Sequence, residues 1–118
     1  MLPTLVEAFA ALADPIRADI VSMLAGADMN ASDIAAHFPV SRPAVSRHLS
    51  VLLRANLVQV REEAQRRVYS LDTRGLDDAL QWIADCRKVW NARLDALGRH
   101  LDEVAKQKQK QKQKGGKS

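Results

Sequence analysis

The sequence predicts a mainly α-helical domain that contains one small β-hairpin. Over most of the chain, apolar residues recur every three or four positions, which is the period of an amphipathic helix. Between Leu57 and Leu71 the pattern changes to alternating apolar and polar residues, which is the period of a strand. The helical period then returns and continues to about Ala105, so a long C-terminal helix should follow the hairpin.

Length and composition favour a single domain inside the cell. The 118 residues suffice for one domain, and the hydrophobic fraction of 47% can supply a small core. Cys86 is the single cysteine, so no disulfide can form within the chain, which fits a reducing cytoplasm. No apolar run approaches the ~20 residues that span a membrane, and the N-terminus lacks the basic segment of a signal peptide. We therefore expect a cytoplasmic protein without a membrane partner.

Positive charge is concentrated in two parts of a chain whose formal net charge is +4. Residues 106–118 hold six lysines and no acidic residue, so residues 1–105 carry a net charge of −2. Within this acidic body, residues 41–67 hold six arginines against Glu62 and Glu63. A basic patch on an otherwise acidic domain is typical of a protein that binds nucleic acid.

Three helix starts can be located from their capping residues. Asp14 precedes Pro15, and proline is favoured in a first turn because the N–H that it lacks would be unbonded there anyway. Asn30 precedes a helix of about two turns, which Pro39 prevents from continuing. Ser41 can cap the next helix. Two short helices joined by a tight turn are the pattern of a helix-turn-helix.

The helix after Ser41 is predicted to have an apolar back and a cationic front. Val45, Leu49 and Leu52 form the apolar stripe at helical spacing. The opposite face carries small hydroxyls and three arginines without a carboxylate: Arg42, Ser46, Arg47, Ser50 and Arg54. Such a face suits the major groove of DNA, so we expect Arg42, Ser46 and Arg47 to contact bases. The alternative is an ordinary amphipathic helix whose arginines are only solvated.

The hairpin directly after this helix is predicted to act as a wing. Its tip has no glycine, so the sequence predicts a turn longer than two residues. Arg66 and Arg67 would reach phosphates or an adjacent minor groove. The alternative is a solvated hairpin in which Glu62 and Glu63 protect a sheet edge. The expected phosphate and minor-groove contacts are Ser32, Ser41, Arg54, Arg66 and Arg67.

The long C-terminal helix is predicted to join two copies of the chain. A heptad-like apolar seam runs along it, and a second apolar stripe lies beside the seam at Ala79, Trp82, Cys86 and Val89. A helix that is apolar on two sides has two surfaces to pack against, one of which we assign to a second subunit. The expected dimer contacts are Leu5, Phe9, Leu80, Ile83, Trp90, Leu94, Leu97 and Leu101. Residues 1–105 should form this winged helix-turn-helix and dimerisation domain, and residues 106–118 a disordered Lys/Gln tail.

Three motifs together resemble the ArsR-type winged helix-turn-helix repressors. They are LADPIR at residues 12–17, SRPAVSRHLSVL at 41–52 and RRVYSL at 66–71. Residues 90–97, WNARLDAL, are similar to the C-terminal helix of the SdpR-like branch of that family. The resemblance covers roughly residues 4–104. It implies a homodimeric transcriptional repressor that occupies a palindromic operator in double-stranded DNA, often at its own promoter. Many members of the family release their operator when an inducing ligand binds.

The chain departs from the metal-sensing members of that family. Their thiolate site has a Cys-x-Cys pair on or near the helix before the recognition helix, and residues 32–38 contain no cysteine. Their other site lies on the last helix, where only His100 and Glu103 are available here. A metal needs about four convergent donors, so we expect neither metal nor cofactor. Many members carry Gln where this chain has Arg42, and Arg prefers guanine, which shifts the expected operator toward G.

Two other functions stay open at this point. The first is an interaction protein whose working parts are the heptad seam and the basic tail. The second is a metal or thiol sensor of the same fold, with Cys86 as a redox switch, although a lone cysteine on an apolar stripe is more often buried packing. We do not expect an enzyme, because the chain has no glycine-rich phosphate loop and no histidine paired at catalytic spacing with a nucleophile or carboxylate.

Overall fold

The computed structural model describes residues 3–115 of the chain, and it describes side chains for residues 5–111. It divides into two compact units, Met1–Gln81 and Trp82–Ser118, which are described separately. The mainly helical content, the small sheet and the long last helix are as the sequence predicts. The elements are α1 Pro3–Leu12, α2 Pro15–Gly26, β1 Met29–Asn30, α3 Ala31–Ala36, α4 Arg42–Arg54, β2 Val58–Glu63, β3 Arg66–Leu71 and α5 Thr73–Gly115.

All three predicted caps are present. The Asp14 carboxylate accepts hydrogen bonds from the backbone N–H groups of Ile16 and Arg17, at 2.9 and 3.1 Å, at the start of α2. The Asn30 side chain accepts from the N–H of Asp33, and the Ser41 hydroxyl accepts from the N–H of Ala44. Each bond satisfies a backbone donor that the helix itself leaves unpaired, so the sequence determines where these helices begin.

The end of α4 is fixed by a C-terminal cap. Asn56 has a left-handed φ of 57°, which asparagine tolerates better than most residues. The Asn56 N–H donates to the Leu53 carbonyl, and the Leu57 N–H donates to the Leu52 carbonyl at 3.0 Å. Leu52 and Leu57 are both fully buried, which supplies the apolar contact that accompanies this type of cap.

The sheet has three strands in the order β1–β3–β2, whereas the sequence predicted only the hairpin. β1 pairs with β3 in antiparallel register, with Met29 opposite Tyr69 and Asn30 opposite Val68. A strand of two residues is too short to show a period of two, so no local pattern could have revealed it.

The hairpin turn is shorter than predicted. Glu63 pairs with Arg66, which leaves only Ala64 and Gln65 in the loop. Both have left-handed backbone angles, with φ of 51° and 65°. Two-residue hairpin loops of type I′ need this geometry and usually take it from glycine or asparagine. The prediction of a longer turn was wrong because this chain adopts the tight turn without either residue.

The core of the first unit is formed by apolar side chains from its helices and sheet. Its largest fully buried apolar side chains are Ile20, Ile34, Val45, Leu49, Leu52, Leu57 and Val58. Tyr69 of β3 also belongs to this cluster, so its ring packs under the hairpin rather than in solvent. The predicted apolar backs of α2, α3 and α4 therefore point inward, which leaves the front of α4 at the surface.

The start of α5 is tied to the end of α4. Asp72 is buried, and it accepts hydrogen bonds from Arg74, whose Nη2 lies 2.7 Å from its Oδ2. Arg74 Nη2 also donates to the Asn56 side-chain oxygen at 3.3 Å. Gly75 lies so close to α4 that a Cβ at this position would be 2.7 Å from the Ala55 carbonyl oxygen. These contacts join the end of α4 to the segment between β3 and α5.

The last helix is longer than the sequence predicted. α5 continues to Gly115, so residues 106–115 are helical where a disordered tail was expected. Lysine and glutamine are both good helix formers, so their intrinsic propensity favours a continuation of α5 beyond its apolar face. Residues 116–118 lie outside the described residues. The division of the chain at residue 105 stays a prediction.

Candidate nucleic-acid interface

The front of α4 is solvent-exposed along its whole length. Its back is closed, because Val45, Leu49 and Leu52 are each 2% exposed or less. The five polar residues that were predicted to face DNA are all exposed: Arg42, Ser46, Arg47, Ser50 and Arg54. The front of α4 therefore exposes three guanidinium groups and two hydroxyls, and it carries no carboxylate. This is the face that the sequence predicted opposite the apolar stripe.

These arginines keep their charge uncompensated within the chain. Among the side chains that the structure describes, Arg42, Arg47, Arg54 and Arg66 form no ion pair. Arg61 differs, because it lies 2.8 Å from Asp28 and 3.1 Å from Glu63. Hydrogen bonds to these carboxylates raise its pKa further. An unpaired guanidinium at a surface is available to a phosphate or a guanine, whereas a paired one must first lose its partner.

The wing and the start of α3 meet α4 around one open groove of about 360 Å³. Four residues that were predicted separately line it together: Ser32, Arg42, Arg66 and Arg67. The Arg67 guanidinium also lies 5.9 Å from the centre of the Tyr69 ring, a distance at which a cation is attracted to an aromatic face. Three cations from two elements therefore border one groove.

The groove also contains polar residues that the sequence analysis did not select. Asn30 and Asp33 line it from the start of α3, and Gln65 lines it from the wing tip. Asn30 is occupied as a helix cap. Gln65 is exposed and lies beside Arg66, so it could have been selected only by a search for any hydrogen-bonding side chain at the wing tip.

Comparison with known proteins identifies the family. Residues 14–60 match the family described as "Bacterial regulatory protein, arsR family". The transcriptional repressor SdpR of Bacillus subtilis is 41% identical over 75 residues, which cover 64% of this chain and 83% of that protein. The HTH-type transcriptional regulator Rv2034 of Mycobacterium tuberculosis is 43% identical over 96 residues, which cover 81% of this chain and 87% of that protein. The chain belongs to the ArsR family.

A solved structure supports the same assignment for the fold. The ArsR-like transcriptional regulator from Rhodococcus sp. RHA1 superposes with a TM-score of 0.71 at 32% identity, over 80% of this chain and 89% of that one. The resemblance to winged helix-turn-helix repressors is therefore confirmed. Because its relatives are transcriptional regulators, this ArsR-family chain is a DNA-binding regulator of transcription and not an enzyme.

Behind the exposed front of α4, a polar cluster connects three helices of the ArsR fold. His48 is half-buried, with its Nδ1 3.3 Å from Arg17 Nη1 and 3.9 Å from the Asp14 carboxylate. Arg17 also donates from Nε to the Ala11 carbonyl at 2.7 Å, so its side chain faces inward. The hydrogen bond from the Arg17 N–H lowers the pKa of Asp14, with His48 as a further cause. His48 thus has a structural position and does not line the groove.

The predicted dimer contacts fall into two groups. Leu5 of α1 is 4% exposed, so it is buried within the chain and has little surface left for a partner. The other seven are exposed large apolar residues: Phe9 in α1 and Leu80, Ile83, Trp90, Leu94, Leu97 and Leu101 in α5. Phe9 has a contact within the chain in addition to its exposed surface.

The described residues also bear on the predictions about a thiol switch, a metal site and a membrane span. Cys86 is exposed and forms no disulfide, so it is not the buried packing residue that its apolar stripe suggested. Among residues 3–115, no three His, Cys, Asp or Glu side chains converge where a metal ion could bind. Across the same range, no helix combines the length and the apolar character that crossing a membrane requires.

Proposed function

We propose that this ArsR-family protein is a homodimeric, sequence-specific repressor that binds a two-fold symmetric operator in double-stranded DNA, including one at its own promoter. The uncompensated arginine face of α4 carries the proposal, because a helix with a closed apolar back and a cationic front is suited to a major groove. Its place of action would be the cytoplasm, where bacterial DNA is found.

The proposed contacts divide into two kinds. Arg42, Ser46 and Arg47 contact base edges, since they project from the first half of α4, the part of a recognition helix that enters the groove most deeply. Residues around them hold the phosphates or reach the minor groove: Ser32, Ser41, Ser50, Arg54, Arg66 and Arg67. The common groove that contains Ser32, Arg42 and both wing arginines supports a single DNA-facing surface, because one duplex could contact all four residues.

The proposed dimer rests on apolar surface. Six large apolar residues of α5 are between 43% and 63% exposed, at the spacing of a coiled-coil seam. A row of apolar side chains this long is costly in water, and a second copy of the same helix would cover it. Two copies would then present two α4 helices about one turn of DNA apart, ~34 Å, on a palindromic site.

A fluorescence anisotropy titration tests the proposal. The full chain is titrated onto a duplex from upstream of its own gene, with excess competitor DNA and at several salt concentrations. Arg47→Ala should weaken binding to this duplex by ~10- to 100-fold, because a good arginine–guanine pair contributes ~1–3 kcal/mol of discrimination. The matched control Arg99→Ala removes the same charge from α5 and should leave the affinity for this duplex nearly unchanged.

The outcomes separate the proposed functions. Binding that survives competitor and falls with Arg47→Ala alone supports a sequence-specific repressor that controls its own gene. Equal binding to promoter and competitor would contradict autoregulation. Equal effects of Arg47→Ala and Arg99→Ala would contradict base contact by α4 and favour a protein that interacts through α5 and the basic C-terminus.

A further inference from the structure

The tip of the wing has a backbone geometry that its residues do not favour. Ala64 and Gln65 form the whole loop, with φ of 51° and 65°. For residues other than glycine and asparagine, two successive left-handed positions are unusual, since Cβ crowds the following carbonyl oxygen. Glycine would fit both positions without strain. Strain of this kind persists where the surrounding structure imposes it, and it is concentrated at functional sites.

Only one of the two loop residues has a side chain that can form hydrogen bonds. Ala64 carries a methyl group, whereas Gln65 carries an amide that can donate two hydrogen bonds and accept two. Gln65 is exposed and borders the same groove as Arg42, Arg66 and Arg67. The amide therefore stands at the outermost point of the wing, beside the cations that would hold phosphates on either side of a groove.

The charge around the tip suits entry into DNA. Glu63 is the acidic residue nearest the loop, and Arg61 Nε lies 3.1 Å from its carboxylate. Arg61 also pairs with Asp28, so it offsets part of the charge of Glu63, and the exposed Arg66 and Arg67 add positive charge beside the loop. A loop of two residues is the shortest that commonly closes a hairpin, so a side chain at this tip can extend into a minor groove about 6 Å wide.

We propose that Gln65 is a specificity-determining residue that donates a hydrogen bond to base edges in the minor groove and selects A·T pairs beside the α4 site. This inference rests on the proposed function. An A·T pair presents only acceptors in the minor groove, which match the amide N–H groups, whereas G·C adds the guanine N2 amino group as a donor.

Two substitutions in the full chain separate strain from recognition. Ala64→Gly and Gln65→Gly relieve the same kind of strain, but only the second removes a hydrogen-bonding side chain. Both should raise the melting temperature, by roughly 3 °C. Wild type and both variants are then used to select sites from a random-sequence duplex library, and the enriched sites are sequenced.

All three proteins should enrich the same central sequence, since α4 is unchanged. Wild type and Ala64→Gly should also enrich A·T pairs on both flanks, and Gln65→Gly should lose this preference and bind the wild-type site about tenfold more weakly. If Gln65→Gly keeps the flanking preference, the inference fails while the proposed function stands. If wild type enriches no common sequence, the proposed function fails and the inference fails with it.

A base substitution identifies the groove that is contacted. The selected flanking A·T pair is replaced by G·C or by inosine·C, which has the major-groove face of G·C but lacks the amino group in the minor groove. Wild type should bind the inosine duplex as tightly as the A·T duplex and the G·C duplex about tenfold more weakly. Gln65→Gly should bind all three equally. If wild type bound the inosine duplex as weakly as the G·C duplex, the inference would be overturned.

Discussion

Helices α4 and α5 are both amphipathic, and they use their apolar sides differently. In α4 the apolar side is covered by the chain's own core, with Leu52 fully buried and Val45 nearly so. In α5 the apolar side faces solvent, with Leu80 63% and Leu101 57% exposed. The polar side of α4 is therefore its functional surface, and the apolar side of α5 is the surface that still lacks a partner in a single chain.

This difference separates two tasks that a DNA-binding regulator must combine. A helix that contacts bases has to be held rigidly, which the Asp14–Arg17–His48 cluster and the core behind α4 provide. A helix that joins two copies has to keep apolar surface available until the copies meet. Substitutions on one helix should therefore change DNA recognition, and substitutions on the other should change assembly.

Leu94→Ser should have the largest effect, because a symmetric interface contains each substituted position twice. Leu94 is 46% exposed in the single chain, so a partner would bury about half of the side chain. Loss of this burial in both copies should weaken self-association by about 2–3 kcal/mol, or on the order of a hundredfold. Sedimentation equilibrium measures the dissociation constant, with Asp95→Ser as the exposed control on the neighbouring position. Unchanged association in Leu94→Ser would contradict a dimer built on α5.

Gly75→Ala should destabilise the first unit, by about 2 kcal/mol. The added Cβ would meet the backbone oxygens of Ala55 and Asn56 at 2.7 and 2.9 Å, so α5 would have to move away from the end of α4. Urea unfolding measures the loss of stability. Gly98→Ala is the control, because nothing within the described chain lies within 4 Å of its added Cβ, and alanine should stabilise this helix position by ~1 kcal/mol. Equal unfolding midpoints for both variants would contradict the described junction.

The junction should also make stability depend on acidity. Hydrogen bonds from Arg74 hold the pKa of the buried Asp72 below its ordinary value of 3.8. A lowered folded-state pKa means that this contribution is complete above pH 3.8 and is lost as the pH falls through the lower value of the folded protein. The free energy of unfolding of wild type should therefore fall more steeply in acid than that of Asp72→Asn. The pKa of Asp14 is lowered as well, so Asp72→Asn keeps part of the dependence of stability on pH. If the curves of unfolding free energy against pH were parallel for wild type and Asp72→Asn, this role of Asp72 would be contradicted.

Neutralising the C-terminal lysines should have the smallest effect. Lys106, Lys108 and Lys110 are exposed on α5, and their replacement together by Gln keeps the helix propensity while removing three charges. The affinity for any duplex should fall slightly, and the slope of its logarithm against log salt should decrease by up to about 3, since each phosphate contact contributes ~0.9. Replacement of Gln107, Gln109 and Gln111 by Ala is the charge-preserving control. If the Lys→Gln variant lost affinity only for the selected site and not for other duplexes, a sequence-independent contact by these lysines would be contradicted.

The sequence predicted the features that depend on neighbours along the chain. The caps at Asp14, Asn30 and Ser41 and the exposed face of α4 all follow from local hydrogen bonding and helical period. The family resemblance followed from the same motifs. Local patterns were sufficient here because each feature involves residues no more than a few positions apart.

The features that the sequence did not predict depend on distant contacts or on unusual backbone geometry. β1 exists because Met29 pairs with Tyr69, 40 positions away. Arg17 faces inward because Ala11 and His48 offer it acceptors on two other helices. Gln65 was missed because the tight turn that exposes it uses residues that rarely form one. The helical continuation to Gly115 was missed because a solvated Lys/Gln stretch has no apolar period.

The most direct test of the account is the dependence of affinity on half-site spacing. Two copies of the selected half-site are placed with their centres about 10 base pairs apart, and 5 base pairs are then inserted between them. A dimer joined through α5 should bind the first duplex tightly and lose about a hundredfold in affinity on the second, because the insertion turns one half-site to the opposite side of the DNA. Equal affinity for both duplexes, or for a duplex with a single half-site, would contradict a dimer that places two α4 helices on one operator.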